Sequence, residues 1–238
     1  MVLFVALFSR VENTVAFSKD TSDKSYASAV QEAQEQTISD DMLFEQTGGA
    51  SWYGHRFHKK KTANGERYSK YKLTAAHRKL PFGSIVKVTN KTTGKSTFVR
   101  INDRGPFSRK RIIDLSYYAA STLGALGNPK VKIETLLPSK SFDSKEDGLD
   151  YLFAYSFDDK PSCAQASKFM LIKEFDNFDL AVEELHRLHN NSNGSKVRLL
   201  TPATDYKEFD EDEEFSGKYY IGFSKADFDR TFSQLFFL

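Results

Sequence analysis

Glu66, His77, Asp103 and Asp114 are the residues whose types could do acid and base chemistry, and they lie where acids are scarce. Between residues 47 and 137, 19 Lys and Arg face four carboxylates, the fourth being Glu134. That local balance is +15 in a chain of net charge +2, which leaves the remainder at −13. Such asymmetry points to an anionic partner for one part of the chain only. Asp114 sits between Ile113 and Leu115, and burial there would favour the neutral carboxyl that a general acid needs near neutral pH. Plainer readings exist for each residue. Asp114 lies two residues before Ser116 and has the composition of a helix N-cap. Asp103 has Arg100 and Arg104 as ready ion-pair partners, and a lone His77 fits a structural role.

The elements that must position these residues are short. Glycine- and Asn-rich turns separate alternating runs at 50–53, 84–89, 96–101, 112–115 and 131–136, and Asn90 to Lys95 (NKTTGK) reads as a hairpin turn. One helix pattern, 116–126, ends at Gly124, Gly127 and Pro129. Several strands and one helix in about 90 residues describe a small barrel. In the C-terminal part, strand-like 169–175 leads to an amphipathic helix over 179–188; strands follow at 197–200 and 219–223 and a helix at 225–235. Two strand-then-helix units of this kind pack as a small sheet with helices on one face. The domain reading is therefore an export and linker segment over 1–46, largely disordered, a barrel over 47–137, a linker or added edge strand over 138–165, and an α+β domain over 166–238.

Composition sets wider bounds. With 238 residues, 39% hydrophobic and 28% charged, the chain is neither collagen, coiled coil nor wholly disordered. Aromatics at 14%, with 21 Phe and 11 Tyr, favour strands. No apolar run reaches the roughly 18 residues of a membrane helix, so no integral span is expected. Residues 1–8 form a short apolar stretch, at the low end of the about 7 to 15 residues of an export segment and without a preceding positive charge. No small-residue stretch ending in cysteine supports lipid attachment. Cys163, the single cysteine, forms no internal disulfide.

Taken in order, ASWYG, TANGE, LTAAH, LPFG, VRINDRGPF and IDLS, between Ala50 and Ser116, closely resemble the rare lipoprotein A family. The resemblance implies a six-stranded double-psi β-barrel related to expansins, and a septal lytic transglycosylase of the bacterial envelope acting on peptidoglycan. FMLIKEF and YYIGF, each followed by a helix, look like a sporulation-related repeat (SPOR) domain, which implies binding to glycan strands stripped of stem peptides. Exported, periplasmic or envelope localisation and division proteins as partners follow from the same resemblance.

In that chemistry an acid protonates the leaving glycosidic oxygen and a base activates the C6 hydroxyl of the same muramic acid, so a 1,6-anhydro ring forms without water. The resemblance carries the catalytic positions onto Glu66, His77, Asp103 and Asp114, with Asp114 or Glu66 as acid and base and His77 orienting it. Substrate contacts are expected from Trp52, Tyr53, Asn64 and Arg104. No cofactor is implied. One position departs from the family: the Asp common three residues after the Glu of TANGE is Ser69 here, which neither titrates nor carries charge. A non-catalytic, expansin-like wall-binding protein is the alternative. The Lys59-Lys60-Lys61 run suits an anionic wall; no nucleic-acid motif accompanies it, so nucleic acid is not an expected partner. His55-x-x-His58 and His186-x-x-His189 have ligand-like spacing but lack further ligands, and no metal is expected.

Overall fold

A computed structural model of the chain describes residues 42–54, 57–137, 151–191, 196–203 and 217–227. Expectations for residues 1–41, most of the 138–165 linker's first half, the acidic run at 205–214 and the end of the 225–235 helix lie outside them.

Six strands close into a barrel in the order β1-β5-β2-β4-β3-β6. They are β1 (Leu43–Trp52), β2 (Thr74–His77), β3 (Ile85–Asn90), β4 (Ser96–Asp103), β5 (Arg111–Leu115) and β6 (Lys130–Leu136). The β1–β5 and β2–β4 pairs are parallel and the rest antiparallel. Alternating apolar residues such as Val86, Val88, Val99, Ile113 and Ile133 turn inward and are fully buried. β1 and β5 approach closely at Gly49, where a Cβ would stand 2.7 Å from the Lys110 carbonyl oxygen, so only glycine fits. Helix α1 (Tyr117–Thr122) is capped by Ser116, whose Oγ accepts from Ala119 N at 3.1 Å. Ser116, not Asp114, is thus the N-cap. The helix stops short of the expected Leu126 because Gly124 adopts φ +61°.

The second unit is a five-stranded antiparallel sheet in the order β8-β7-β10-β11-β9. It comprises β7 (Tyr151–Tyr155), β8 (Ser162–Gln165), β9 (Phe169–Phe175), β10 (Val197–Pro202) and β11 (Tyr219–Ser224), with α2 (Phe178–Asn191) on one face. Two boundaries differ from the sequence reading. Order within the described residues starts before residue 47, because Leu43–Gln46 continue β1 opposite Leu136–Ile133 and Leu43 and Phe44 rest on the core. Of the linker and added-edge-strand readings of 138–165 the second fits 151–165, which form two strands with β8 at the sheet edge, and Leu152, Phe153, Ala154 and Tyr155 are all buried.

Barrel and sheet share one apolar core. Phe98 of β4 meets Phe157 and Tyr155 at ring distances of 5.0 and 6.3 Å. Lys87 on β3 is covered and donates to the carbonyls of Phe157 (2.7 Å) and Asp159 (2.9 Å). Asp179, in the first turn of α2, accepts from Leu73 N of the barrel. Covered on both sides, β3 and β4 lack the clean inside-outside alternation of a solvated barrel strand. Phe98→Ala should therefore lower the stability of the whole chain by about 3–5 kcal/mol, with the melting of both units shifted together in chemical denaturation followed by circular dichroism.

Candidate active site

β2 lies between β4 and β5, and its Ala76 is paired with Asp103 on one side and Asp114 on the other. A bulge at the Ala75/Ala76 step skips Asn102 and brings Asp103 opposite Ala76. Ala75 and Ala76 are fully buried and small, so the two carboxyl-bearing strands flank a low floor.

The two aspartates are held differently. Asp103 Oδ1 accepts from the backbone N–H groups of Ala63 (2.9 Å) and Arg104 (2.8 Å), and Oδ2 accepts from the Tyr53 hydroxyl (2.8 Å). Burial, then the charge of Asp103, its hydrogen bond and the charge of Asp114 push the Tyr53 phenol well above its ordinary pKa. Tyr53 is thereby a neutral donor that senses both aspartates. Asp114 Oδ1 accepts from Ser51 Oγ (2.6 Å) and Arg111 Nη1 (2.9 Å). Its Oδ2 has no hydrogen-bond partner among the described residues, and its side chain is 14% exposed.

Glu66 belongs to a separate arrangement. Arg100, 7% exposed, clamps it with two parallel hydrogen bonds of 2.7 and 2.8 Å, and Asn102 adds a third at 3.0 Å. Burial opposes its ionisation, but the hydrogen bonds and charge of Arg100 prevail, with help from Asn102 and Asn64, and hold the carboxyl at about 2. Asn64 shapes the turn: its Oδ1 accepts from Thr62 Oγ1 and Glu66 N, and its own N–H bonds the Asn102 carbonyl. Ser69, where the family Asp was expected, accepts from Tyr71 N in the next turn.

His77 is 3% exposed and reaches neither Asp114 nor Glu66 by a hydrogen bond. Its Nδ1 accepts from Lys79 N and Leu80 N, which leaves Nε2 to donate to Gln46 Oε1 at 3.2 Å. Burial, then Arg78 and Arg104, lower its pKa to about 4. The imidazole fixes the turn after β2, and Arg104 ties that turn to Asp103. Arg104 Nη1 donates to the carbonyls of His77 and Leu80, its guanidinium stacks 3.6 Å from the Phe82 ring, and its backbone N–H bonds Asp103. Trp52 is half-buried, with Nε1 donating to the Leu126 carbonyl and its ring edge-on to Tyr117.

The structure thus brings Tyr53 and the Arg104 backbone onto Asp103, with Asp114 across Ala76, and holds Glu66, Asn64, His77 and Trp52 in separate contacts. Ser51, Arg111 and Asn102 were not singled out from the sequence, and Arg100, a ready partner for Asp103 there, pairs with Glu66 instead. Arg100 and Asn102 stand in the VRINDRGPF string, but only the closed barrel aims them at Glu66. His58 accepts from Lys70 N, while His186 and His189 lie against Phe157 at 4.5 and 4.9 Å; His55 is outside the described residues.

Residues 45–135 match the barrel family described as lytic transglycolase. The chain is 56% identical over 100 residues to an endolytic peptidoglycan transglycosylase RlpA of Neisseria meningitidis, covering 41% of this chain and 42% of the relative. It is 44% identical over 132 residues to that of Pseudomonas aeruginosa, covering 55% of this chain and 39% of the relative. The chain spans about two fifths of the length of these curated relatives. Among solved structures, a mutant Clavibacter michiganensis expansin in complex with cellohexaose is 12% identical with a TM-score of 0.34, covering 76% of this chain and 79% of that one.

Two titrations follow from the buried groups. Because the folded Glu66 carboxyl is held at about 2 against an ordinary 4.5, its contribution to stability is full above pH 4.5 and disappears as pH falls towards 2. Stability curves of Glu66→Gln should lack that acid slope and lie about 3 kcal/mol lower at neutral pH. For His77, lowered from 6.5 to about 4, the ring should stay neutral through pH 6 and protonate near pH 4, as read from its NMR resonances.

Proposed function

Because residues 45–135 form a double-psi β-barrel of the lytic transglycolase family, the kind found in the RlpA proteins, we propose that the protein is a peptidoglycan lytic transglycosylase. It would cleave the MurNAc–GlcNAc strand and leave a 1,6-anhydromuramic end. The observation that supports this most is the pair of aspartates across Ala76, one of which has an oxygen with no hydrogen-bond partner among the described residues.

Asp114 is the acid and base of this reading. Its Oδ1 is anchored by Ser51 and Arg111, so Oδ2 is oriented and available to the scissile oxygen. A carboxyl that gives its proton to the leaving oxygen and then takes the proton of the C6 hydroxyl returns to its starting form. The C1–O bond to the leaving sugar breaks, the C1–O6 bond forms, and no water enters. Asp103, with both oxygens held by neutral donors, supplies a fixed negative charge where the sugar develops positive charge. Glu66, clamped by Arg100 and kept ionised, positions the TANGE turn whose Ala63 N–H bonds Asp103.

The finer reading is a preference for peptide-stripped strands, export to the periplasm or cell envelope, and a role in remodelling at the division septum beside divisome proteins. The C-terminal sheet would be the SPOR-like glycan-binding part. Among the described residues no helix is long and apolar enough to cross a membrane. Ser69 favours a second reading, in which the barrel holds glycan without cutting it.

Asp114→Asn should reduce anhydromuramic sugars released from sacculi, measured by mass spectrometry, by about 100-fold or more while sedimentation with sacculi persists. Wild-type protein that sediments but releases no sugar would establish the second reading, and Ser69→Asp would then be expected to create turnover.

A further inference from the structure

Phe107, in the DRGPF string, has no part in the scheme above. It is 93% exposed, more than any other large hydrophobic side chain among the described residues. Leaving such a ring in water forgoes the free energy of burying it, so its position calls for a use. The loop that carries it is tied down. Arg78 Nη1 donates to the carbonyls of Pro106 (3.0 Å), Ser108 (3.2 Å) and Arg111 (2.9 Å), which pins the backbone on both sides of the ring.

The ring also stands near Ala76, the strand residue that both aspartates flank. Gly105 has φ +135°, and a Cβ placed there would lie 3.8 Å from the Ala76 Cβ and 3.9 Å from Phe107 Cε2. Ala76 is the residue paired with both Asp103 and Asp114, so one glycine separates the exposed ring from the floor between the two carboxyls. Arg109 and Lys110, both exposed, follow it in the same loop. A single ring bordered by cations is not the contiguous apolar patch of a protein interface.

We infer that Phe107 is the stacking platform for a pyranose ring of an anionic glycan strand lying across Asp114. This rests on the glycan-cleaving reading above and adds to it the subsite that holds the sugar. The C–H face of a pyranose packs on an aromatic face, and a ring already fixed by its loop loses little entropy when the sugar arrives. Arg109 and Lys110 give the platform a preference for strands bearing carboxylates.

The test uses the full chain with Phe107→Ala, Phe107→Leu and Phe107→Trp. Each is made in the parent, to follow anhydromuramic release, and in Asp114→Asn, to follow sedimentation with amidase-treated sacculi. Ala and Leu should weaken binding about tenfold and slow release, and Trp should retain both, with thermal melting unchanged in all three. A parent that binds and cleaves while Ala does so equally well overturns the platform and leaves the transglycosylase reading intact. Recovery by Leu equal to that by Trp also overturns it, since an apolar contact would then suffice. A parent that neither binds nor cleaves sacculi overturns both readings.

Discussion

The barrel depends on β2, a four-residue strand with every residue buried that pairs with β4 on one side and β5 on the other. Its sequence, Thr-Ala-Ala-His, carries little side-chain bulk at the two middle positions. That permits β4 and β5 to bring Asp103 and Asp114 to the level of one residue, with each neighbouring strand about 4.8 Å away. The bulge between Ala75 and Ala76 completes the alignment, since an unbroken ladder would have placed Asn102 there instead. The juxtaposition of the two carboxyl-bearing strands depends on this small strand more than on any one side chain.

Charge is arranged with similar economy. In a segment where cations outnumber acids, three of the four carboxylates have a cation in contact: Glu66 with Arg100, Asp114 with Arg111 and Glu134 with Lys132. Asp103 instead takes two backbone N–H groups and a phenol. Its hydrogen bonds come from neutral donors, although the Arg104 guanidinium is close enough to feel its charge. The surplus cations, including Lys59, Lys60, Arg109 and Lys110, remain exposed, where they suit an anionic polymer.

The second unit is joined to the barrel by packing as well as by chain connection. Phe98, Tyr155 and Phe157 meet across the junction, Lys87 is capped by carbonyls of the β7–β8 turn, and Asp179 caps a backbone N–H beside the Glu66 network. Burial pushes the Asp179 carboxyl up, against the pull of Leu73 N–H, Lys72 and Arg100. The sheet therefore contributes to the surroundings of the Glu66–Arg100 pair.

Much of this was legible in the sequence. Alternation located β3, β4, β5, β6, β9, β10 and β11, because side chains two apart share a face of a strand, and the 3.6-residue period located α2. The ordered motifs singled out both aspartates that flank Ala76. β2 escaped, because four buried residues have no exposed face to alternate with, and β7 and β8 were left between linker and added edge strand, because their apolar island is short and set among Ser, Lys and Asp. Which carboxyl has an oxygen without a partner among the described residues was decided only by tertiary structure. Glu66 and Asp114 are equally plausible acids as letters, but Arg100 lies 34 residues from Glu66 and Ser51 lies 63 from Asp114. Residue type and local order determine which groups can titrate and which segments extend. Partners drawn from distant strands, which no local pattern records, decide whether a carboxyl is clamped as a support or left open to a substrate.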